Sequence, residues 1–225
     1  MKIVILSDSY PPIINGLSSV VKNSSYYLAK KGHEIEVFTL DRGYDSPKKE
    51  YVDGVSVNRF SSISPFQSYH FPSPSLISAL PNDADFIHIH NFHSVIPFLY
   101  ELIPKSKKYD SKLILTPHYH LPGHYFHSKI AWKFYKPYLN KIIKLCSGIQ
   151  SVSSYEATIF HRDFGVETKV IQNGVNSAVY DVKHVKRKTD AIQLLGIGRL
   201  EKYKRHDLTL HSAYILKEKG LRVDV

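Results

Sequence analysis

The fold is decided by a short run close to the start of the chain, Ile3-Val4-Ile5-Leu6-Ser7. The run is almost wholly apolar and rich in β-branched residues, which is typical of a strand covered on both faces of a sheet. From Leu17 to Lys31 the apolar residues recur with helical spacing, and Gly32 is a stop signal. Ile35 to Leu40 then predicts a second strand. This order of elements is typical of a parallel sheet with helices on its faces.

The same alternation continues through most of the chain. Further strands are predicted over Val55 to Phe60, Phe86 to His90, Leu113 to Thr116 and Ile149 to Ser153, and helices over Val95 to Ile103 and Lys129 to Leu145. Repeated strand–helix units indicate an α/β fold with a doubly wound parallel sheet. In such a sheet, ligands bind beyond the carboxyl ends of the strands.

The pattern changes after residue 176. A polar, basic stretch without periodicity, Asp181 to Asp190, predicts a linker, and a new strand–loop–helix unit begins at Gln193. A further strand is predicted from Arg222. We therefore predict two domains, residues 1–176 and residues 177–225. The second is expected to be incomplete by itself, because one strand–helix unit and a strand cannot bury their own faces.

Composition limits the classes of partner. The 225 residues include 30 Lys and Arg against 20 Asp and Glu, which gives a formal net charge of +10. This excess favours phosphorylated substrates, an anionic membrane surface or nucleic acid, although no nucleic-acid recognition module is legible. The single Cys146 excludes an internal disulfide. With no apolar run approaching the roughly 18 to 20 residues of a membrane span, and no secretory signal, we expect a cytoplasmic protein, soluble or peripherally attached to a membrane.

Two cations in the second domain suit a diphosphate. Arg199 and Lys204 follow the apolar run Gln193 to Ile197, which is predicted to be a buried strand, and precede a helix that starts near Asp207. An arginine can form a two-pronged pair with phosphate oxygens, a lysine adds a compact charge, and a helix N-terminus favours the same anion. The alternative is a solvated basic turn.

Two features of the first domain point to sugar or phosphate chemistry. Asn15-Gly16 stands in the loop between the first strand and the first helix, where backbone N–H groups can approach a phosphate or a sugar hydroxyl closely. It lacks the dinucleotide-binding glycine pattern, so a nicotinamide or flavin enzyme is disfavoured. His118 stands just past a strand end, where it could contact a sugar hydroxyl or stabilise developing charge. A simple turn glycine and a structural histidine are the alternatives.

Histidines and a basic, aromatic segment raise two further hypotheses. Seven of the 13 histidines cluster, namely His88, His90, His93, His118, His120, His124 and His127. They suggest a metal-dependent hydrolase, but no cysteine cluster or paired carboxylates support a metal site, so we predict no metal. The segment Tyr125 to Leu145 could lie on an anionic membrane or pack on the sheet, and Pro137 is expected to kink it.

Several short motifs follow one another along the whole chain. They are Tyr10-Pro11-Pro12 with Asn15-Gly16, Gly32-His33-Glu34-Ile35-Glu36-Val37, Asp85-Phe86-Ile87-His88-Ile89-His90, Thr116-Pro117-His118, Ser151-Val152-Ser153, Val170-Ile171-Gln172-Asn173-Gly174-Val175 and Gly198-Arg199-Leu200 with Lys204. Together they resemble the retaining glycosyltransferases of group 1, also called family 4. Members of that family have the GT-B fold, which consists of two Rossmann-like domains.

The resemblance implies an activity and residue roles. It implies transfer of a sugar, of the hexosyltransferase type, from a nucleotide-diphosphate sugar to an acceptor with retention of anomeric configuration. The nucleotide sugar is a co-substrate, and no further cofactor is implied. Residues 1–176 would be the acceptor-side domain, and residues 177–225 the start of the donor-side domain. In the binding site, Asn15 and Gly16 would lie near the donor phosphates and the acceptor, and His118 would contact the transferred sugar as the catalytic residue. Arg199 and Lys204 would neutralise the leaving diphosphate.

Three departures from the family pattern shape the expectation. Asn15 and Arg205 stand where the family usually has glycine, and the family's second domain continues past Val225 with an acidic motif. We therefore expect negligible turnover by this chain unless a second chain completes the donor domain. The acceptor is expected to be lipid-linked or phosphorylated. The competing hypothesis is a non-catalytic or membrane-docking half of a split glycosyltransferase, and the metal-dependent hydrolase is a more distant alternative.

Overall fold

The computed structural model describes residues 1–66, 69–102, 112–120, 126–175, 177–182, 189–198, 200 and 202–225. The chain divides into two compact units, Met1–Asn176 and Ser177–Val225. Among the predicted site residues, Arg199 lies outside the described residues, as does most of the predicted linker.

The first unit is built on one large sheet. Its strands are β1 (Lys2–Leu6), β2 (Glu34–Leu40), β3 (Lys49–Val52), β4 (Val55–Phe60), β7 (Phe86–His90), β8 (Lys112–Thr116), β9 (Gly148–Ser151) and β10 (Lys169–Val170). They lie in the order β10-β9-β8-β7-β1-β2-β4-β3, and every neighbouring pair is parallel except β3–β4. A separate antiparallel hairpin consists of β5 (Ser62–Phe66) and β6 (Tyr69–Pro72).

Helices cover both faces of this sheet. They are α1 (Gly16–Lys30), α2 (Ser75–Ala79), α3 (Ile96–Leu102), α4 (Phe126–Leu145) and α5 (Ser154–Phe164). Alternate residues of β1 enter two different core clusters: Val4 packs with α4 and α5, and Ile5 packs with α1. A strand that buries both of its faces needs apolar residues at successive positions, which is what the opening run provides. The predicted α/β class with a doubly wound parallel sheet is confirmed.

Other elements of the first unit were not predicted. Strand β3 is short and mostly exposed, so it lacks the apolar alternation that indicates a strand. It joins β4 through Asp53-Gly54, and both of these residues have positive φ angles. An Asp-Gly pair with this geometry is a hairpin-turn signal, and it could have revealed β3.

Helix α4 contains most of the basic aromatic segment. It runs as one helix through Pro137. Its side chains Leu139, Ile142 and Ile143 are buried in the core of the first unit. Part of the apolar stripe therefore packs in the core, whereas Tyr138 and Leu145 are 42% and 51% exposed. Within the described ranges, no helix is long and apolar enough to cross a membrane.

The second unit is a small strand–helix–strand assembly. Strands β11 (Ile192–Gln193) and β12 (Val223–Asp224) pair in parallel, and α6 (His206–Glu218) lies between them in sequence. The prediction of a buried strand over Gln193 to Ile197 was wrong. The strand ends at Gln193, and the side chains of Leu195 and Ile197 are 85% and 86% exposed. Within the unit's described residues, no layer covers these side chains.

Candidate functional site

The candidate site lies beyond the carboxyl ends of three neighbouring strands. Strand β7 stands between β1 and β8, and all three are parallel. The loops that follow them therefore meet at the same edge of the sheet, where ligands bind in open α/β sheets. Of the predicted residues, Asn15 and His118 belong to these loops, and Gly16 is the first residue of α1, directly after the first loop.

The loop after β1 is held by Asn15. The Oδ1 atom of Asn15 accepts a hydrogen bond of 2.7 Å from the backbone N–H of Ser18, and its Nδ2 atom donates one of 2.7 Å to Oγ of Ser9. Asn15 is thus the N-cap of α1 and a brace for its own loop. At Gly16, a Cβ atom would meet no heavy atom within 4 Å. The space beside Gly16 is therefore open to a ligand.

The loops after β1 and β7 are joined by a carboxylate and an amide. Asn91 donates a hydrogen bond of 3.2 Å from Nδ2 to Oδ1 of Asp8, and its Oδ1 accepts one of 3.1 Å from the backbone N–H of His93. Asn91 has a left-handed backbone with φ 72°, a conformation that asparagine tolerates better than most residues. Burial raises the pKa of Asp8 above its ordinary value. Neither residue was predicted as a site residue, although each directly follows a predicted strand.

Three histidines meet at the ends of β7 and β8. The Nδ1 atom of His90 lies 3.2 Å from Nε2 of His118, within hydrogen-bond distance. The ring of His88 lies 4.1 Å from the ring of His90, and its Nε2 atom lies 2.8 Å from Oγ1 of Thr116. His88 and His90 reach the same place because side chains two apart on a strand share a face.

Burial keeps these imidazoles neutral at pH 7. It lowers the pKa of His88 and of His118 to about 4, with His118 adding a smaller effect on His88. The pKa of His90 also falls well below its ordinary value, because of burial first and then of the other two rings. His118 therefore acts as a hydrogen-bonding group rather than as a cation.

Backbone hydrogen bonds fix the loop that carries His118 on both sides of that residue. The carbonyl of Pro117 accepts a hydrogen bond of 2.8 Å from the backbone N–H of Phe92. Two residues later, the backbone N–H of Tyr119 donates one of 2.5 Å to a carboxylate oxygen of Glu156. His118 itself has a left-handed backbone with φ 48°. Such a conformation persists in a non-glycine residue when its surroundings hold it on both sides.

Glu156 holds the His118 loop and was not among the predicted site residues. It is 3% exposed, and its two carboxylate oxygens accept the N–H groups of Tyr119 and Val152. Its own N–H donates to Oγ of Ser153, the N-cap of α5. The spacing Ser153-x-x-Glu156 is the capping-box signature and could have indicated this helix start. The contact from Glu156 to the His118 loop is tertiary, so the spacing carries no sign of it.

A second stacked group borders the loop. The ring of His93 lies 4.0 Å from that of His120, and its Nε2 atom accepts a hydrogen bond of 3.3 Å from the backbone N–H of His120. Burial, followed by the neighbouring His120, lowers the pKa of His93 to about 3. In the part of the chain that the structure describes, no group of three or more His, Cys, Asp or Glu could hold a metal ion. His124 and the side chain of His127 lie outside it.

The predicted cations lie in the second unit. Lys204 is exposed and ends the 3₁₀ turn Lys202–Lys204, whereas Arg199 is outside the described residues. A Cβ atom at Gly198 would lie 3.4 Å from the ring of His206 and 3.7 Å from Cδ of Lys204. Gly198 therefore lies close to both side chains, and a Cβ atom there would make ordinary van der Waals contact with them.

Arg205 explains one departure from the expected family pattern. Its backbone is left-handed, with φ 51° and ψ 42°. Glycine adopts this conformation most readily, which accounts for a glycine preference at such a turn. The guanidinium group forms two-pronged contacts of 3.0 Å with the carboxylate of Asp207. Arg205 thus keeps a glycine-like turn, and its charge is directed to Asp207.

Solved structures with a similar fold agree with this architecture. The chain is similar to the sucrose-phosphate synthase of Thermosynechococcus elongatus, with a TM-score of 0.53 and 15% identity over 78% of this chain and 48% of the other. It is also similar to the catalytic domain of Starch Synthase IV from Arabidopsis thaliana, with a TM-score of 0.56 and 15% identity over 99% of this chain and 67% of that one. At this identity, the similarity shows the fold.

Sequence comparisons add the family. A segment of 65 residues is 42% identical to an uncharacterized glycosyltransferase of Methanocaldococcus jannaschii, and it covers 28% of this chain and 16% of that relative. The chain thus spans only part of the proteins that it matches. The family model described as Glycosyltransferase Family 4 matches residues 14–179, which include the loop of Gly16, the three-histidine cluster and Glu156. The chain therefore belongs to Glycosyltransferase Family 4.

Proposed function

We propose that this chain is part of an enzyme that transfers a sugar from a nucleotide-diphosphate sugar to an acceptor with retention of anomeric configuration. The observation that carries the proposal is the neutral, fixed imidazole of His118 at the carboxyl edge of the sheet, in a chain that belongs to Glycosyltransferase Family 4. The acceptor-side role of the first unit and the donor-side role of the second are part of this proposal.

His118 is assigned the contact to the transferred sugar. A neutral imidazole both donates and accepts hydrogen bonds, so it suits a sugar hydroxyl. Its loop is held by Glu156 and by the backbone of Phe92, so little reorganisation is needed when charge develops at the reacting carbon. Because the ring is neutral at pH 7, it does not provide the positive charge that a leaving diphosphate needs.

That positive charge is assigned to the second unit. Arg199 and Lys204 would neutralise the diphosphate as the glycosidic bond breaks. Lys204 is exposed, and its side chain lies near Gly198 in the loop that follows β11. Arg205 is not assigned to the phosphate, because its guanidinium group already contacts Asp207.

Gly16 is assigned the close approach of the donor phosphates or the acceptor. It is the first residue of α1, where the helix dipole and free N–H groups favour an anion. The open space beside its Cα atom supports this role, because a ligand could occupy that space. Asn15 contributes by capping the helix and bracing the loop.

The substrate classes are proposed more coarsely. The Arabidopsis starch synthase structure is described as bound to ADP, which supports a nucleotide diphosphate as the leaving group. The formal net charge of +10 favours a phosphorylated or lipid-linked acceptor, or one at an anionic membrane surface.

Calorimetric titration with ADP, UDP and GDP sugars tests the proposal. We expect one class to bind, and we expect Arg199→Ala and Lys204→Ala each to weaken binding about tenfold, as expected for loss of a charge-assisted contact. Gly16→Ala should also weaken binding, because the alanine methyl would occupy the space proposed for the ligand. It should leave the fold unchanged, because in the free protein that space is open. Gly174→Ala is the matched control, since a Cβ there also meets no atom within 4 Å. Unchanged binding in all three site variants would overturn the proposal.

A further inference from the structure

His90 is the most buried member of the three-histidine cluster. Only 2% of the surface of His90 is exposed. Its Nε2 atom is buried and has no hydrogen-bond partner among the described residues. Its Nδ1 atom has a partner, because it lies 3.2 Å from Nε2 of His118. Among the described residues, Nδ1 of His90 therefore has a hydrogen-bond partner and Nε2 has none.

This asymmetry fixes the tautomer of His90. A neutral imidazole carries its proton on one nitrogen and a lone pair on the other. A buried N–H without an acceptor is rarer in proteins than an acceptor without its full set of donors. The proton of His90 therefore belongs on Nδ1, where it has a partner, and the lone pair belongs on Nε2.

The tautomer of His90 fixes that of His118 in turn. If Nδ1 of His90 donates, then Nε2 of His118 accepts and carries no proton. A neutral His118 must then carry its proton on Nδ1. No described residue is a hydrogen-bond partner of that nitrogen, and His118 is partly exposed.

The rest of the cluster keeps His90 in place. His88 packs its ring 4.1 Å from that of His90 and contacts Oγ1 of Thr116 at 2.8 Å. A hydroxyl group can donate or accept, so the His88–Thr116 contact does not set a tautomer. The hydrogen bond between His90 and His118 is therefore the contact that sets the tautomer of His118.

We propose that His90 is a positioning residue that donates a hydrogen bond from Nδ1 to Nε2 of His118 and so makes Nδ1–H of His118 the donor offered to a sugar oxygen. The proposal rests on the function proposed above for His118. It assigns His118 a single polarity: it donates to an oxygen atom of the sugar and does not remove a proton from it. No side chain other than His118 needs to touch the substrate for this effect.

The decisive experiment is ¹⁵N nuclear magnetic resonance of the histidine-labelled full chain at pH 7, with His118→Asn used to assign the ring signals of His118. We expect the chemical shifts of His118 to report a protonated Nδ1 and an unprotonated Nε2. Protonation at Nε2 would overturn the proposal. This readout needs no ligand, so it fails or succeeds independently of the proposed transferase activity.

Two substitutions at His90 sharpen the test. His90→Asn places an amide N–H near the position of Nδ1, so we expect His118 to keep its tautomer. His90→Phe preserves the ring but removes the donor, so we expect a mixture of tautomers at His118 and about tenfold weaker nucleotide-sugar binding. A His118 tautomer unchanged in a folded His90→Phe variant would overturn the proposal. If that variant does not fold, the wild-type spectrum and His90→Asn decide.

His88→Gln is the matched control for these variants. A glutamine amide can occupy the position of Nε2 and retain the contact to Thr116. The substitution lies on the same strand and the same face as His90, so it produces a similar disturbance of packing. We expect the tautomer of His118 to be unchanged. A tautomer shift as large as that in His90→Phe would assign the effect to packing and overturn the role of His90.

Discussion

Similar apolar runs are buried in the first unit of this chain and exposed in the second. In the first unit, Leu115 of β8 is completely buried between neighbouring strands and helices. In the second unit, Leu195 follows β11 and is 85% exposed. Both residues stand in apolar runs that predict a buried strand. The comparison shows that an apolar run becomes a buried strand only where other layers are present to cover it.

The largest expected effect is a difference between two identical substitutions. We expect Leu115→Ala to lower the free energy of unfolding by about 2–5 kcal/mol, because it leaves a cavity in a packed core. We expect Leu195→Ala to change it by less than about 0.5 kcal/mol, because an exposed side chain leaves no cavity. Urea unfolding followed by the fluorescence of Trp132, the only tryptophan, reports on the first unit.

Thermal unfolding followed by circular dichroism would cover the second unit in the same pair of variants. A loss after Leu195→Ala comparable to that after Leu115→Ala would contradict the comparison. It would show that Leu195 is covered in solution.

The next effect is the pH dependence of the free energy of unfolding, which arises from a buried histidine of the first unit. Burial lowers the pKa of His88 to about 4, whereas in an unfolded chain it is about 6.5. The unfolded state therefore binds more protons between these values, and stability is lost as the pH falls through this window. From pH 7 to pH 4.5 the cost for one such histidine is about 2–3 kcal/mol, at about 1.4 kcal/mol per pH unit.

The variant His88→Gln isolates this contribution. We expect the difference in unfolding free energy between pH 7 and pH 4.5 to be about 2–3 kcal/mol smaller in the variant than in the wild type. Burial raises the pKa values of Asp8 and Glu156, which gives these groups the opposite pH dependence. Both carboxyl groups are present in the two proteins, so their contribution cancels. Equal pH dependence in the two proteins would show that His88 is not kept neutral by burial.

Some of the features behind these predictions could be predicted from the sequence, and others could not. The parallel strands could be predicted, because an apolar run such as Ile3 to Ser7 needs no distant information to mark a doubly covered strand. The position of His118 at a strand end followed from the same pattern. The groups that hold His118 and its loop did not follow from it. His90 is 28 residues from His118, and Glu156 is 37 residues from Tyr119, whose backbone N–H it accepts. Spacing along the chain does not encode such tertiary contacts.

The second unit shows the opposite limit. The helix predicted to start near Asp207 begins at His206, because the amphipathic pattern that indicates a helix is local. The strand predicted over Gln193 to Ile197 is shorter and exposed, because burial depends on neighbours that the run itself does not contain. The roles of Arg199 and Lys204 stay predictions.

A smaller effect compares two acidic residues in the first turns of helices. Glu156 in α5 is buried and accepts two backbone N–H groups, whereas Asp207 in α6 is exposed and contacts Arg205. We expect Glu156→Gln to cost about 1–3 kcal/mol, because an amide replaces one acceptor oxygen with a donor that faces an N–H group. Asp207→Asn should leave the unfolding midpoint unchanged within error. Equal urea midpoints for all three proteins would remove Glu156 from its role in holding the His118 loop.

The smallest effect compares two left-handed residues, one in each unit. Gly165 ends α5 with φ 70°, and Arg205 precedes α6 with φ 51°. We expect Gly165→Ala to lower the free energy of unfolding by about 1 kcal/mol, because a Cβ atom disfavours this conformation. Arg205→Gly should relieve the same strain but lose the contact to Asp207 and make the unfolded chain more flexible. We therefore expect the amide exchange rates of α6 to change little in that variant. A marked acceleration would show that the exposed pair of Arg205 and Asp207 holds the start of α6 more firmly than its solvent exposure indicates.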